Sequence, residues 1–489
     1  MQGIVPGIAH ALHGAAATRR IEQAALAGLP AHALMQRAGQ AVARLALAIA
    51  PHAQRYWIAC GPGNNGGDGL EAATHLLHMG KTPIVTWLGH AGGLPEDARA
   101  ALDWARAANV VFASAPPEGC DCAIDALLGL GANRAPEGPM AQQVAHLNQL
   151  RAQDLPVLSV DLPSGLHGDT GNAPGACVQA SHTLALLTLK PGLFTAQGRD
   201  ASGALWFDDL GIAPSSADAP QALLNPAPAP QMRRHASHKG SYGDVAVIGG
   251  APGMGGAALL AARAALQGGA GRVYVGLLDL ETALMDATQP ELMLRRPETL
   301  LNMLDSLTVV CGCGGGEAVL AVLPTLLRRA PRLVLDADAL NAVAAEPNLQ
   351  TLLQDRGRRD GGVPGTVLTP HPLEAARMLG TDARAVQQDR LAAAQELAER
   401  FACTVVLKGS GTIIAAPGAL PRINPTGNAR LATAGTGDVL AGLIGTRLAQ
   451  GLPGFDAACA AVYAHGLAAD TWSPQQTLTA DALARALNT

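Results

Sequence analysis

Apolar and polar positions along this 489-residue chain follow two rhythms. Residues 14–50 are rich in Ala and Leu at amphipathic helical spacing, and ALMQRAG at 33–39 reads as the end of such a helix. Short apolar runs follow: YWIAC (56–60), TPIVTWLG (82–89), NVVFAS (109–114), CAIDALLG (122–129), PVLSVDLPSG (156–165) and TLALLTLKPG (183–192). Helical stretches such as PEDARAALDWARAA and GPMAQQVAHLNQLRAQ separate several of them. Apolar strands without polar alternation, spaced by helices, indicate a parallel sheet covered on both faces, so the first half is expected to be an α/β sandwich.

Residues 211–232 are proline-rich and lack periodicity. Beyond them the pattern restarts with DVAVIGG, GRVYVGLL, SLTVVCGCGGG, PRLVLDADALN, GTVLTPHPLEAARML and CTVVLKGSGTIIAAPG, giving a second α/β half that shows no clear repeat of the first. The expected division is a domain at 1–212, a linker at 213–234 and a second domain at 235–489.

Composition narrows the class. Net charge is −5 and only 15% of residues are charged, below the usual figure of about 25%, which suits a compact enzyme without a nucleic-acid footprint. The N-terminus lacks the pattern of a signal peptide, and Pro252 with its neighbouring glycines breaks the long uncharged run at 245–262, so no membrane span is expected. Eight cysteines in so long a chain are no disulfide framework. The pairs Cys120/Cys122 and Cys311/Cys313 have no histidine cluster to complete a zinc site, so buried thiols in a reducing, cytoplasmic setting are expected.

Ligand sites in parallel sheets gather at the carboxyl ends of strands. After YWIAC comes GPGNNGGDG, in which Gly61, Gly63 and Gly66 satisfy GxGxxG while Asn64, Asn65 and Asp68 put hydrogen-bonding side chains inside the loop. The motif alone also describes a plain strand-to-helix turn. Asp125 falls within a later strand, Asp161 and Ser164 after a third and Lys190 after a fourth. Asn65, Asp125 and Ser164 offer only hard oxygen donors, which favours an alkali or alkaline-earth ion over zinc. Asp161 is the natural proton-transfer group, with Lys190 placed to pair with it or to hold phosphate.

In the second half, ATAGTGDVLAG lets Gly435, Thr436 and Gly437 present successive amides at a helix N-terminus with Asp438 at its mouth. That is what phosphoryl transfer asks for: amides to offset charge on oxygen and a carboxylate to take the hydroxyl proton. The competing reading is a tight helix start with an aspartate in its first turn. KGSGT (408–412) adds a lysine-bearing glycine loop and TPHP places His371 after another strand, while the absence of GxxxxGK[ST] argues against a P-loop fold.

Taken together, LMQRAG, GPGNNGGDG, DLPSG, TPHP, KGSGT, NARLATAGTGDVLAG and AVYAHGLAAD resemble the bifunctional NAD(P)H-hydrate repair enzymes over nearly the whole chain. The resemblance implies an N-terminal Rossmann-like three-layer sandwich that epimerises R and S NADHX and NADPHX with a bound potassium ion. It also implies a C-terminal ribokinase-like α/β domain that dehydrates the S hydrate with ADP, or ATP, as phosphoryl donor and Mg2+ on its phosphates. Asn64, Asn65, Gly66, Gly67, Asp68, Gly129, Leu130, Gly131, Ala132, Asn133, Arg134, Ala135, Asp161 and Lys190 are implied epimerase substrate residues, with Asn65, Asp125 and Ser164 on potassium. Arg134 is suited to a phosphate. For the dehydratase, Ala251, Gly314, His371 and Asp438 are implied to face the hydrate, Asp438 as catalytic base. Lys408, Gly409, Ser410, Gly411, Thr412 and Gly437 are implied to face the nucleotide. CGCGGG departs from the family pattern, which commonly has a proline and a bulkier residue among these glycines. Neither nucleic acid nor membrane is an expected partner, and a homo-oligomer is left open. The alternative reading is a ribokinase-like small-molecule kinase with an accessory domain.

Overall fold

The computed structural model describes residues 1–489 apart from 90–92, 132–133, 214, 216–217, 231, 282–284, 360–364 and 488–489. The chain forms two compact units, one of Met1–Val5 with His10–Leu223 and the other of Pro6–Ala9 with Leu224–Thr489.

The sheet of the first unit runs in the order Gln2–Gly3, Ala204–Asp208, His182–Leu186, Val157–Val160, Cys122–Ala126, Arg55–Cys60, Thr82–Trp87, Val111–Ala113. Every neighbouring pair is parallel except the first. The missing polar alternation has a direct cause in the packing. Along Arg55–Cys60, Tyr56, Ile58 and Cys60 join one apolar cluster with the helices Ala33–Ile49 and Asn64–His78. Trp57 and Ala59 join another with Val144 and Leu147 of the helix Gly138–Ala152. Both faces of the strand are buried, which makes three layers.

Two local expectations are corrected. ALMQRAG begins a helix instead of ending one: the helices are Ala15–Gly28 and Ala33–Ile49. They are separated at Leu29, which is extended (φ −113°, ψ 155°) before Pro30, as the residue before a proline tends to be. Asn64 and Asn65 do not lie in a loop; they open the helix Asn64–His78, capped by Gly63.

In the second unit, the strands Met293–Leu294, Arg272–Leu277, Asp244–Gly249, Thr308–Cys311, Arg332–Leu335, Thr366–Leu368 and Thr404–Leu407 lie side by side and parallel. Ile413–Ala415 and Arg422–Ile423 then add antiparallel. The KGSGT run is the turn between Thr404–Leu407 and Ile413–Ala415. The helix Thr436–Ala449 is buried along most of its length. Its Val439, Leu440, Leu443 and Ile444 share the main cluster with Ala258, Ala261, Ala262 and Ala265 of the helix Gly255–Gln267. The alanine-rich composition thus serves close helix packing. Among the described residues no helix is long and apolar enough to cross a membrane. All eight cysteines are free thiols and buried.

Candidate functional site

The carboxyl ends of the strands in the first unit open into a cavity of about 460 Å³. Its wall takes in Asn64, Asn65, Asp68, Gly129, Leu130, Gly131, Asp161 and Lys190, so these eight sequence-derived candidates meet at one place. The glycines of GPGNNGGDG explain how the loop reaches it. None of them needs a left-handed backbone; what they need is closeness. A Cβ on Gly61 would stand 1.8 Å from the carbonyl oxygen of Leu127, and one on Gly66 would stand 2.0 Å from that of Gly61. The helix Asn64–His78 can therefore start directly against the strand ends.

Asp161 is buried and takes a left-handed backbone (φ 66°) immediately after its strand. Its carboxylate accepts from the amide of Leu186 at 3.2 Å and pairs with the ammonium of Lys190. Lys190 is fully buried and also donates to the Leu186 carbonyl at 2.7 Å. Asp68 lines the cavity half-buried, and its carboxyl is pushed well above the ordinary range by burial first and by the charges of Asp161 and Glu22 next.

Asp125 lies outside the cavity wall at the end of its strand, fully buried. It accepts from the Ser159 hydroxyl (2.8 Å), the Ser164 amide (2.9 Å), the Ser164 hydroxyl (2.5 Å) and the Leu127 amide (3.3 Å). Burial pushes it up while these bonds oppose the shift. The Ser164 hydroxyl also meets both the amide and the carbonyl of Leu128. Asn65 reaches the same loop, for a Cβ on Gly129 would lie 3.2 Å from its Oδ1. Its Nδ2 is buried without a partner. Gly66 and Gly67 are packed inside the helix, Arg134 is exposed and Ala135 is half-buried; none of the four lines the cavity. Ala132 and Asn133 lie outside the described residues. Sequence reasoning missed one wall altogether: Thr18, Arg19, Glu22 and Leu26 of the helix Ala15–Gly28. Their 18/22/26 spacing is a helical face, a signal indistinguishable from ordinary core packing.

In the second unit, Asp438 stands in the first turn of Thr436–Ala449, with Gly435 capping in a left-handed conformation (φ 90°). A helix N-terminus favours the charged carboxylate, yet its pKa is raised to about 7, by burial first and then by Asp336. One ligand atom each from Asp438, Asp336 and Cys313 lie within 4.8 Å of one another. The buried Asp336, at the end of Arg332–Leu335, accepts from Lys408 (2.7 Å) and from the Thr369 hydroxyl (2.7 Å). Lys408 stands 3.8 Å from the buried Glu374. Burial alone would lower the Lys408 pKa, but Asp336 and Glu374 outweigh it and the net shift is upward.

His371 is the N-cap of the helix Pro372–Leu379. Its Nδ1 accepts from the amides of Leu373 and Glu374, while Glu374 returns a bond to the His371 amide at 2.7 Å. Burial, then Lys408, lowers the imidazole pKa. Gly437 adjoins Lys408, a Cβ there falling 3.4 Å from Nζ. Gly409 and Ser410 are exposed in the turn, Gly411 is buried and Thr412 half-buried, its hydroxyl donating to the Gly409 carbonyl. Ala251 is buried and donates its amide to the Gly314 carbonyl at 2.7 Å, joining the two glycine loops. In CGCGGG, Gly312, Gly314 and Gly316 all take positive φ (115°, 59° and 51°), which accounts for glycine at these alternate positions. Asp336, Glu374 and Thr369 escaped the sequence reading, although DADAL and TPHPLE carry them at strand ends.

A family model described as YjeF-related protein N-terminus matches residues 31–192, and one described as NAD(P)H-hydrate dehydratase matches residues 245–489. The helix Ala15–Gly28 precedes the first match. A solved ADP/ATP-dependent NAD(P)H-hydrate dehydratase from Bacillus subtilis, co-crystallised with ATP and Mg2+, is 31% identical and covers 52% of this chain and 91% of its own at a TM-score of 0.43. The bifunctional NAD(P)H-hydrate repair enzyme Nnr of Escherichia coli (strain K12) is 39% identical over 465 residues, covering 92% of this chain and 87% of its own length. The same-named protein of Coxiella burnetii is 36% identical, covering 92% and 93%. Because both family models match in order and the relatives are similar across almost their full length, the chain belongs to the bifunctional NAD(P)H-hydrate repair enzymes, which join an epimerase to an ADP/ATP-dependent dehydratase.

Proposed function

We propose that the cavity at the strand ends of the first unit is the epimerase site and that the cluster around Asp438 is the dehydratase site, with domains at 1–212 and 235–489 joined through 213–234. The observation that carries the assignment is the pair of unlike carboxylates: Asp161 in contact with a buried ammonium, and Asp438 raised to about 7. A base is most effective when its pKa lies near the working pH. Asp438 takes the proton of the ring hydroxyl while the nucleotide transfers its terminal phosphoryl group to that oxygen. Phosphate then departs with the C–O bond, and loss of a proton from the neighbouring carbon restores the dihydropyridine of NADH or NADPH. His371 and the joined loops at Ala251 and Gly314 face the hydrate. The 408–412 turn, with Gly437, faces the nucleotide, for which ADP is the preferred donor and ATP the alternative.

When bound, a Mg2+ ion on the nucleotide phosphates would neutralise their charge. Hard carboxylate oxygens suited to it are present at Asp336 and Glu374, on either side of Lys408. Potassium fits the epimerase site in donor chemistry: Asp125, Ser164 and Asn65 meet around residues 127–129, all as oxygen donors. The amide of Asn65 is the orphaned polar group there, and with its ends exchanged it would offer its oxygen instead. Such an ion would offset the buried Asp125 charge. Eight unpaired buried thiols support a cytoplasmic setting.

The test is Asp161→Asn, supplied with the R hydrate alone plus nucleotide and followed by the absorbance of restored NADH. The variant should restore NADH only at the spontaneous epimerisation rate yet process the S hydrate normally. Wild-type rates on both would refute the assignment.

A further inference from the structure

The cavity in the first unit is walled on one side by a helix that the family match does not reach. Thr18, Glu22 and Leu26 recur every fourth residue along Ala15–Gly28 and all line the cavity, with Arg19 beside them. The helix is held in place at this face. The Thr18 hydroxyl meets that of Thr188 at 2.7 Å, and the Arg19 guanidinium reaches the carbonyl of Leu130, itself a lining residue, at 3.4 Å. Glu22 is half-buried among the charges of Asp161, Lys190, Arg19 and Asp97, and lies within the field of Asp68. Two of the other three acids of the cavity are already engaged, Asp161 by Lys190 and Asp97 by His32 at 2.5 Å, while among the described residues Asp68, like Glu22, is not. Among the described residues no hydrogen bond or ion pair engages the Glu22 carboxyl.

Inversion at the hydroxyl-bearing carbon needs two proton-transfer groups. That carbon adjoins the ring nitrogen, so the hydroxyl leaves as water once an acid protonates it, the nitrogen lone pair forming the C=N bond. Water then adds to the other face, the C–O bond re-forms, and a carboxylate takes the surplus proton. Atoms and charge balance without an oxidant. One carboxylate held against an ammonium cannot supply both protonation states at once.

We propose that Glu22 is a second catalytic residue of the epimerase, acting as the acid that protonates the departing hydroxyl while Asp161 serves as the base. The environment agrees: burial first, and the charge of Asp161 next, raise the Glu22 pKa. An acid with a raised pKa stays protonated to higher pH, so its contribution to the rate is lost as pH rises through that pKa. This inference rests on the cavity being the epimerase site.

The experiment measures conversion of the R hydrate, coupled to the dehydratase in excess, across pH for wild type, Glu22→Gln, Glu22→Asp and Asp161→Asn. Glu22→Gln should lower epimerisation by about 10²-fold, the scale of losing a positioned acid, and should remove the alkaline limb from what remains. Glu22→Asp should recover part of the rate and keep that limb, and turnover of the S hydrate should not change. A Glu22→Gln enzyme with wild-type rate and profile overturns the role. A slowed one whose alkaline limb persists and whose melting temperature falls would mark Glu22 as structural, which also overturns it. If Asp161→Asn is slow while Glu22→Gln is not, only the role of Glu22 fails; if both behave as wild type, the placement of the site fails with it.

Discussion

Replacing Asp438 by Asn should slow dehydration and stabilise the second unit. The change is nearly isosteric and removes a carboxyl whose pKa rises from the ordinary 3.8 to about 7 on folding. Because the folded state holds the proton more tightly than the unfolded one, stability falls as pH rises between those two values and is level above about 7. At about 1.4 kcal/mol per pH unit the ceiling of this penalty is about 4 kcal/mol. Asp438 is only half-buried and water relaxes around it, so about 1–2 kcal/mol is the expected gain for the variant. For a domain of roughly 250 residues that is about 2–8 °C in melting temperature. The assay is paired: dehydratase turnover on the S hydrate, and melting of wild type and Asp438→Asn at pH 4, 6 and 8. Turnover should fall by about 10²-fold or more. The difference in melting should be small at pH 4, grow to pH 7 and then stop growing. Full turnover would remove Asp438 from the chemistry, and a pH-independent gain would show that its ionisation is not the source of the strain.

Two further tests concern the first unit. Exchanging potassium for sodium should slow epimerisation several-fold without touching S-hydrate dehydration, and Ser164→Ala should be slower and indifferent to the exchange; an enzyme equally fast in either salt would remove the ion from the site. Gly66→Ala forces a Cβ to within 2.0 Å of the Gly61 carbonyl, so it should cost about 1–3 kcal/mol and lower the melting of the first unit, with epimerase activity lost and dehydratase kept. An unchanged melting curve would refute the close-packing account of this motif.

Much of the fold was legible because strands buried on both faces leave a continuous apolar signature, as in residues 56–60. Asp161 was legible because it directly follows such a run, Asp125 because it interrupts one, and Asp438 because it follows the glycines of AGTG at a helix start. What was hidden has physical reasons. The glycines of GPGNNGGDG serve close contact, Gly66 with Gly61 inside the motif but Gly61 with Leu127 and Gly67 with Met35 and Ala98 far along the chain, and the distant contacts are encoded by no local pattern. Asp336 and Glu374 look like ordinary helix-start acids at DADAL and TPHPLE; only the approach of Lys408, 72 positions from Asp336, gives them a common partner. Glu22 lies on a helix whose cavity face reads like a core face. ALMQRAG was misplaced because the break before it depends on one proline.

The two sites show how one residue type takes opposed characters in one chain. Asp161 is met by a lysine that is itself fully buried and whose other partner, the Leu186 carbonyl, is neutral. Asp438 also has a lysine near, yet Lys408 is held by Asp336 and leans toward Glu374. Two carboxylates thus claim one cation, and the third is left with burial and a like charge for surroundings. That arrangement is unfavourable for folding, and it persists because the helix carrying Asp438 is anchored elsewhere. From Val439 to Ala449 every residue of that helix is buried, and at about 25 cal/mol per Å² of apolar surface such packing exceeds a penalty of a few kcal/mol. Strain confined to the first turn of a well-anchored helix is affordable to the fold, and it is this strain that leaves Asp438 a stronger base than an ordinary aspartate.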